Sequence, residues 1–89
     1  MKEKKIIVKN KLGLHARAAA KIVTLTNNYT SVVKIKNGNK DADAKSIMKL
    51  LMLSAPKGTE LTISADGKDE KNAIKSLTDL IENKFDENE

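Results

Sequence analysis

Residues 31–44, SVVKIKNGNKDADA, decide the architecture. Ser31 to Lys36 alternates around Val33 and Ile35, the period-two pattern of a strand with one buried face. Asn37-Gly38 follows, a pair that readily supplies the positive φ angles of a tight hairpin turn. Asn39 to Ala44 is then the returning strand.

On the N-terminal side, Ala16 to Thr26 is alanine-rich, with Ala16, Ala19, Ile22, Val23 and Thr26 at helical spacing, so one face of a first helix can pack on a sheet. Before it, Lys4 to Lys9 has a β-branched centre and reads as a strand, broken by Lys11-Leu12-Gly13-Leu14. On the C-terminal side, Ser46 to Ser54 is densely apolar and reads as a second, short helix. The Ser46 hydroxyl is suited to accept an orphan N–H at its start. Pro56 and Gly58 interrupt, Glu60 to Ala65 is a strand through Leu61 and Ile63, and Asp66-Gly67 closes it. Asp69 is predicted to cap a last helix whose Ala73, Ile74, Leu77, Leu80, Ile81 and Phe85 recur on one face. One hairpin and two short crossovers predict an α+β fold in a single domain over residues 1–89: an open-faced βαββαβα sandwich, a four-stranded antiparallel sheet with three helices on one face.

A chain of 89 residues buries roughly 62 to 65% of its unfolded surface, enough for one modest core. It is too small for an enclosed active site with separate pockets, so any chemistry is expected on an exposed surface. With Tyr29 and Phe85 as the only aromatics, the core must be aliphatic. The apolar run Ile6 to Val8 is too short for a signal peptide or membrane span, and a cytoplasmic location is expected. The absence of cysteine removes disulfides, thiolate chemistry and cysteine-type zinc sites. The net charge of +5 admits nucleic acid, an anionic membrane or acidic protein partners. Scattered lysines and the scarcity of stacking aromatics place nucleic acid behind acidic proteins.

His15 is the only histidine, and Arg17 is the only arginine among seventeen Lys and Arg residues. His15 follows Gly13 where the first strand turns into the first helix, so an anion attached to it would meet free backbone N–H groups and the favourable end of the helix dipole. Arg17 can reach the same anion with a planar fork of donors. A neutral imidazole is a competent nucleophile near neutral pH, its reference pKa being about 6.5. Phosphoryl transfer then needs mainly positioning and charge stabilisation. By position alone, a histidine that merely caps the helix is the simpler alternative. No Asp or Glu lies close in sequence to orient the ring, and there is no Gly-rich phosphate loop, metal cluster or cofactor motif. Hydrolase and kinase readings lack parts, which leaves a stoichiometric carrier.

Gly13-Leu14-His15-Ala16-Arg17-Ala18-Ala19-Ala20 closely resembles the active-site signature of the histidine-containing phosphocarrier (HPr) family of the bacterial phosphoenolpyruvate-dependent sugar phosphotransferase system. Ala44-Lys45-Ser46-Ile47-Met48 is similar to the family's second signature, and residues 63–70 resemble its fourth strand and the entry to the last helix. The resemblance implies that His15 accepts phosphate on Nδ1 from enzyme I and passes it to sugar-specific IIA domains, with Arg17 steadying the phosphoryl group. It further implies that Ser46 matches a serine phosphorylated by a dedicated kinase (HPr kinase/phosphorylase) in many relatives, with a transcriptional regulator as a further partner. Ile47, Met48 and Leu51 would then contact partners, while Leu50 and Leu53 join the core. No cofactor, metal or membrane insertion is implied, and a monomer is expected. The chain departs from the pattern at Ala18, where a proline is usual, at Leu12, where a small polar residue is common, and at Lys49, where many kinase-regulated relatives have glycine. Two other functions stay open: a regulatory adaptor of the same fold acting through Ser46 and the second helix, and a basic nucleic-acid binder.

Overall fold

The computed structural model describes residues 1–87 and contains the predicted elements in the predicted order. They are β1 (Lys2–Ile7), α1 (Ala16–Thr26), β2 (Val32–Asn37), β3 (Lys40–Asp43), α2 (Ile47–Leu51), β4 (Glu60–Asp66) and α3 (Glu70–Glu82), followed by a 3-10 turn over Lys84–Asp86. The four strands form one sheet in the order β1-β4-β2-β3, every neighbouring pair antiparallel. β1 and β2 both run antiparallel to β4, so α1 carries the chain between two parallel strands across the strand that separates them. The sheet is open-faced, with the helices gathered over one side.

Alternation sets that side. Val33 and Ile35 of β2, Ala42 of β3, and Leu61, Ile63 and Ala65 of β4 are buried, while Lys34 and Lys36 stay exposed. The helices contribute Ala18, Ala19, Ile22, Leu50, Ala73, Leu77 and Ile81 to the same aliphatic core. Gly38 has the positive φ, 61°, that the hairpin requires. Asn37 then donates from Nδ2 to the Leu53 carbonyl at 2.8 Å, tying the hairpin to the end of α2.

Several boundaries differ from the sequence reading, each for a physical reason. β1 begins at Lys2 and ends at Ile7, because its length is set by pairing from Lys2–Ala65 to Ile7–Glu60. On α1, Ala18 is buried and Ala16 exposed, so the packed stripe starts two residues later than its spacing suggested. α2 is shorter than residues 46–54: the Met52 N–H is shared between the Met48 and Lys49 carbonyls, and Ser54, at φ 50°, ends the segment.

Asp69 holds the cap position of α3, but its side chain does not cap. Its carboxylate accepts from the Thr30 N–H at 2.9 Å, the Ser31 N–H at 3.0 Å and the Ser31 hydroxyl, closing the α1–β2 loop onto α3. Glu70, in the first turn, places negative charge at the favourable end of the helix and accepts from the Gly67 N–H of the preceding turn at 3.2 Å. Phe85 does not continue the helical stripe of α3: it lies beyond the helix, in the 3-10 turn at φ 56°, and is buried in the core from there, 1% exposed.

Candidate functional site

The loop that delivers His15 is fixed from both ends. Val8, just past β1, exchanges hydrogen bonds with the Thr59 carbonyl and Gly58 N–H at 2.9 and 2.8 Å. Asn10 is fully buried; its carbonyl accepts from Gly13 N–H at 3.1 Å, and its Nδ2 donates to the Gly13 carbonyl at 2.8 Å. Gly13 has φ 69°, and the loop lies hard against the chain that follows α2. Leu14 N–H donates to the Ala55 carbonyl at 2.8 Å, and its side chain is buried.

His15 is therefore placed as the N-cap of α1, with φ −90° and ψ 179°. Its carbonyl starts the helix by accepting from Ala19 N–H at 2.9 Å, and its ring Nδ1 accepts from Arg17 N–H at 3.2 Å. Its side chain is 25% exposed, so the ring is only partly open to solvent.

The ring also meets Glu87, whose Oε2 lies 2.5 Å from His15 Nε2. The other carboxylate oxygen accepts from Asn10 Nδ2 at 3.0 Å. Burial pushes the Glu87 carboxyl up, but the Asn10 and His15 hydrogen bonds, aided by the charges of His15 and Lys21, hold it below the usual carboxylate range. An ionised carboxylate can only accept, and a backbone N–H can only donate. Neutral His15 therefore carries its proton on Nε2, and the Nδ1 lone pair points at the mouth of α1.

Arg17 is exposed in the first turn of α1, beside that mouth. Ser46 is the N-cap of α2, half-buried, with Oγ accepting from Lys49 N–H at 3.3 Å. α1 and α2 pack side by side. Ile47 and Met48 are exposed, at 39% and 71%, Leu51 is half-buried against the core, and Leu50 and Leu53 are buried. Met52 and Leu12 are also exposed apolar side chains, and neither was assigned a contact from sequence. Glu87 and Asn10 were missed as well. Glu87 lies 72 residues from His15, and local spacing carries no signal for a contact of that range. Among the described residues no group of three His, Cys, Asp or Glu could hold a metal ion, and no helix is long and apolar enough to cross a membrane.

The sequence matches the family model described as the PTS HPr component phosphorylation site over residues 2–83. It is 49% identical over 80 residues to the phosphocarrier protein HPr of Cupriavidus necator, covering 90% of each chain. The structure is similar to HPr-C-His from Thermoanaerobacter tengcongensis, with a TM-score of 0.96 and 46% identity over 100% of both chains. It is also similar to an HPr dimer from the same organism, with a TM-score of 0.78 and 47% identity over 98% of this chain and 100% of that one. With the same fold end to end and nearly half of its residues shared, this chain belongs to the HPr family of phosphocarrier proteins of the phosphotransferase system.

Proposed function

We propose that His15 accepts a phosphoryl group on Nδ1 from phosphorylated enzyme I and passes it to sugar-specific IIA domains in the cytoplasm, the protein acting as a monomeric carrier rather than an enzyme. The observation that carries this reading is the Nδ1 lone pair held at the mouth of α1 by Arg17 N–H and Glu87. Helix N–H groups and the exposed Arg17 supply the positive field that a transferring phosphoryl group needs. Attack by Nδ1 forms the new P–N bond as the donor's bond to phosphorus breaks, its electron pair leaving with the donor.

Incubation with phosphoenolpyruvate and enzyme I is expected to give an acid-labile phosphoprotein. Label that persists in His15→Ala refutes the proposal.

Ile47, Met48 and Leu51 are proposed as the docking surface, because their apolar side chains sit on the element packed beside α1. Ser46 is proposed as a regulatory phosphorylation site, with an HPr kinase/phosphorylase and a transcriptional regulator as its partners. Its hydroxyl is half-buried at a helix start flanked by Lys45 and Lys49, a setting that favours added negative charge. Ser46→Asp keeps a capping oxygen and so is expected to preserve stability while slowing transfer from enzyme I at least threefold. Unchanged transfer would leave Ser46 as a cap alone. Partner binding that responds to Ser46→Asp and ignores His15→Ala would favour the adaptor function instead.

A further inference from the structure

The contact between Glu87 and His15 is made by an unusual piece of backbone. Lys84, Phe85 and Asp86 have φ values of 58°, 56° and 62°, three successive left-handed residues, none of them glycine. Residues with a Cβ disfavour this region, so such a run persists only where its surroundings impose it. Two anchors impose it here. The Phe85 ring is buried in the core, and Lys21 Nζ donates to the Phe85 carbonyl at 2.5 Å. The turn brings Glu87 to Nε2 of the imidazole, the ring nitrogen other than the reactive one, where Asn10 holds its second oxygen.

We propose that Glu87 is a positioning residue for phosphoryl transfer: held by this strained turn, it keeps the His15 ring proton on Nε2 through the whole cycle and balances the ring charge that phosphorylation creates. This inference rests on His15 being the phosphoryl acceptor. When Nδ1 bonds phosphorus with its lone pair, the Nε2 proton remains and the ring becomes a cation. Glu87 neutralises that cation in place. When an acceptor takes the phosphoryl group, the P–N bond pair returns to Nδ1 and the ring is again the neutral Nε2–H form, with no proton lost or gained. A carboxylate orienting a histidine in this way fixes both tautomer and ring direction, as in the Ser-His-Asp arrangement. Arg17 and, one helical turn further, Lys21 on α1 are both cationic, and Glu87 is the carboxylate in direct hydrogen-bond contact with the ring, placed to serve as its counter-charge.

The test uses the full chain and two readouts. In proton–nitrogen spectra of the wild type, the His15 Nε2–H is expected as a slowly exchanging, hydrogen-bonded signal, which Glu87→Ala abolishes while the backbone spectrum is retained. In transfer from phosphorylated enzyme I, Glu87→Ala is expected to be slower by about tenfold or more, as for loss of a hydrogen bond to a charged group. Glu87→Gln, which retains an acceptor oxygen without the charge, should fall between. Asp86→Asn removes the same charge one residue away and should stay within threefold of wild type. An Nε2–H signal that survives in Glu87→Ala, a rate change under threefold, or equal slowing by Asp86→Asn would each overturn the proposal. Failure of the wild type to be labelled on His15 would instead overturn the carrier function, and the spectra, which need no donor, still report the Glu87 contact.

Discussion

Gly13 lies so close to Ala55 that a Cβ on it would stand 2.6 Å from the Ala55 carbonyl oxygen and 2.8 Å from Pro56 Cα. Both obstacles are backbone, and the neighbouring Leu14–Ala55 hydrogen bond resists their moving apart. His15 is thus placed by a glycine two residues earlier in the chain.

Gly13→Ala combines a left-handed φ with a backbone clash. Together these should cost at least about 2 kcal/mol, read as a lower urea midpoint at unchanged slope. Transfer activity should also fall, since the loop cannot clear Ala55 without shifting the cap of α1. A loss under about 1 kcal/mol would show that the loop slides aside freely.

Asp69→Asn addresses the acid dependence of stability. The Ser31 hydroxyl, followed by the Thr30 N–H, holds the Asp69 carboxyl below its ordinary range, with the Ser31 N–H adding to them against the opposing effect of burial. A carboxyl depressed in the folded state stabilises fully above its unfolded pKa, about 3.9, and that contribution disappears as pH falls through the folded value. Asp69→Asn should therefore lower Tm at pH 7 and narrow the gap between pH 7 and pH 3 melts. Some slope should remain, because Glu70 and Glu87 are shifted in the same direction. An undiminished gap would mean that Asp69 is not coupled to folding.

These residues also mark what a sequence makes legible. Strand and helix periodicity exposed Val33, Ile35, Leu61, Ile63 and the α3 stripe, because burial on a regular element repeats every two or 3.6 residues. His15 and Arg17 stood out as single occurrences within a short motif. Asp69 was misassigned because a cap and a loop clamp look alike in sequence, and only the fold brings Ser31 within reach. Glu87 was invisible for a stronger reason: its position depends on a left-handed turn that no glycine advertises.

Met48→Asp probes the apolar surface of α2. Met48 is 71% exposed, so its replacement should leave stability within about 0.5 kcal/mol. If it is a docking contact, placing a charge there should weaken association with enzyme I about tenfold or more, near 1.4 kcal/mol, in calorimetric titration. Equal affinity would move the interface away from α2.

Arg17→Ala separates charge from placement at the mouth of α1. The Arg17 contact to His15 is made by its backbone N–H, which alanine retains, so the Nδ1 lone pair stays where it is. Only the guanidinium is lost, and Arg17 is exposed, so folding should be unaffected. If the guanidinium makes one charge-assisted bond particular to the transferring phosphoryl group, about 1.5 to 3 kcal/mol, transfer should slow roughly 10- to 150-fold. Arg17→Lys should recover part of that rate, because an ammonium restores charge but not the two-pronged fork. A slowing under threefold in Arg17→Ala would mean that the helix N–H groups alone carry the phosphoryl charge, and His15 would then need no arginine beside it.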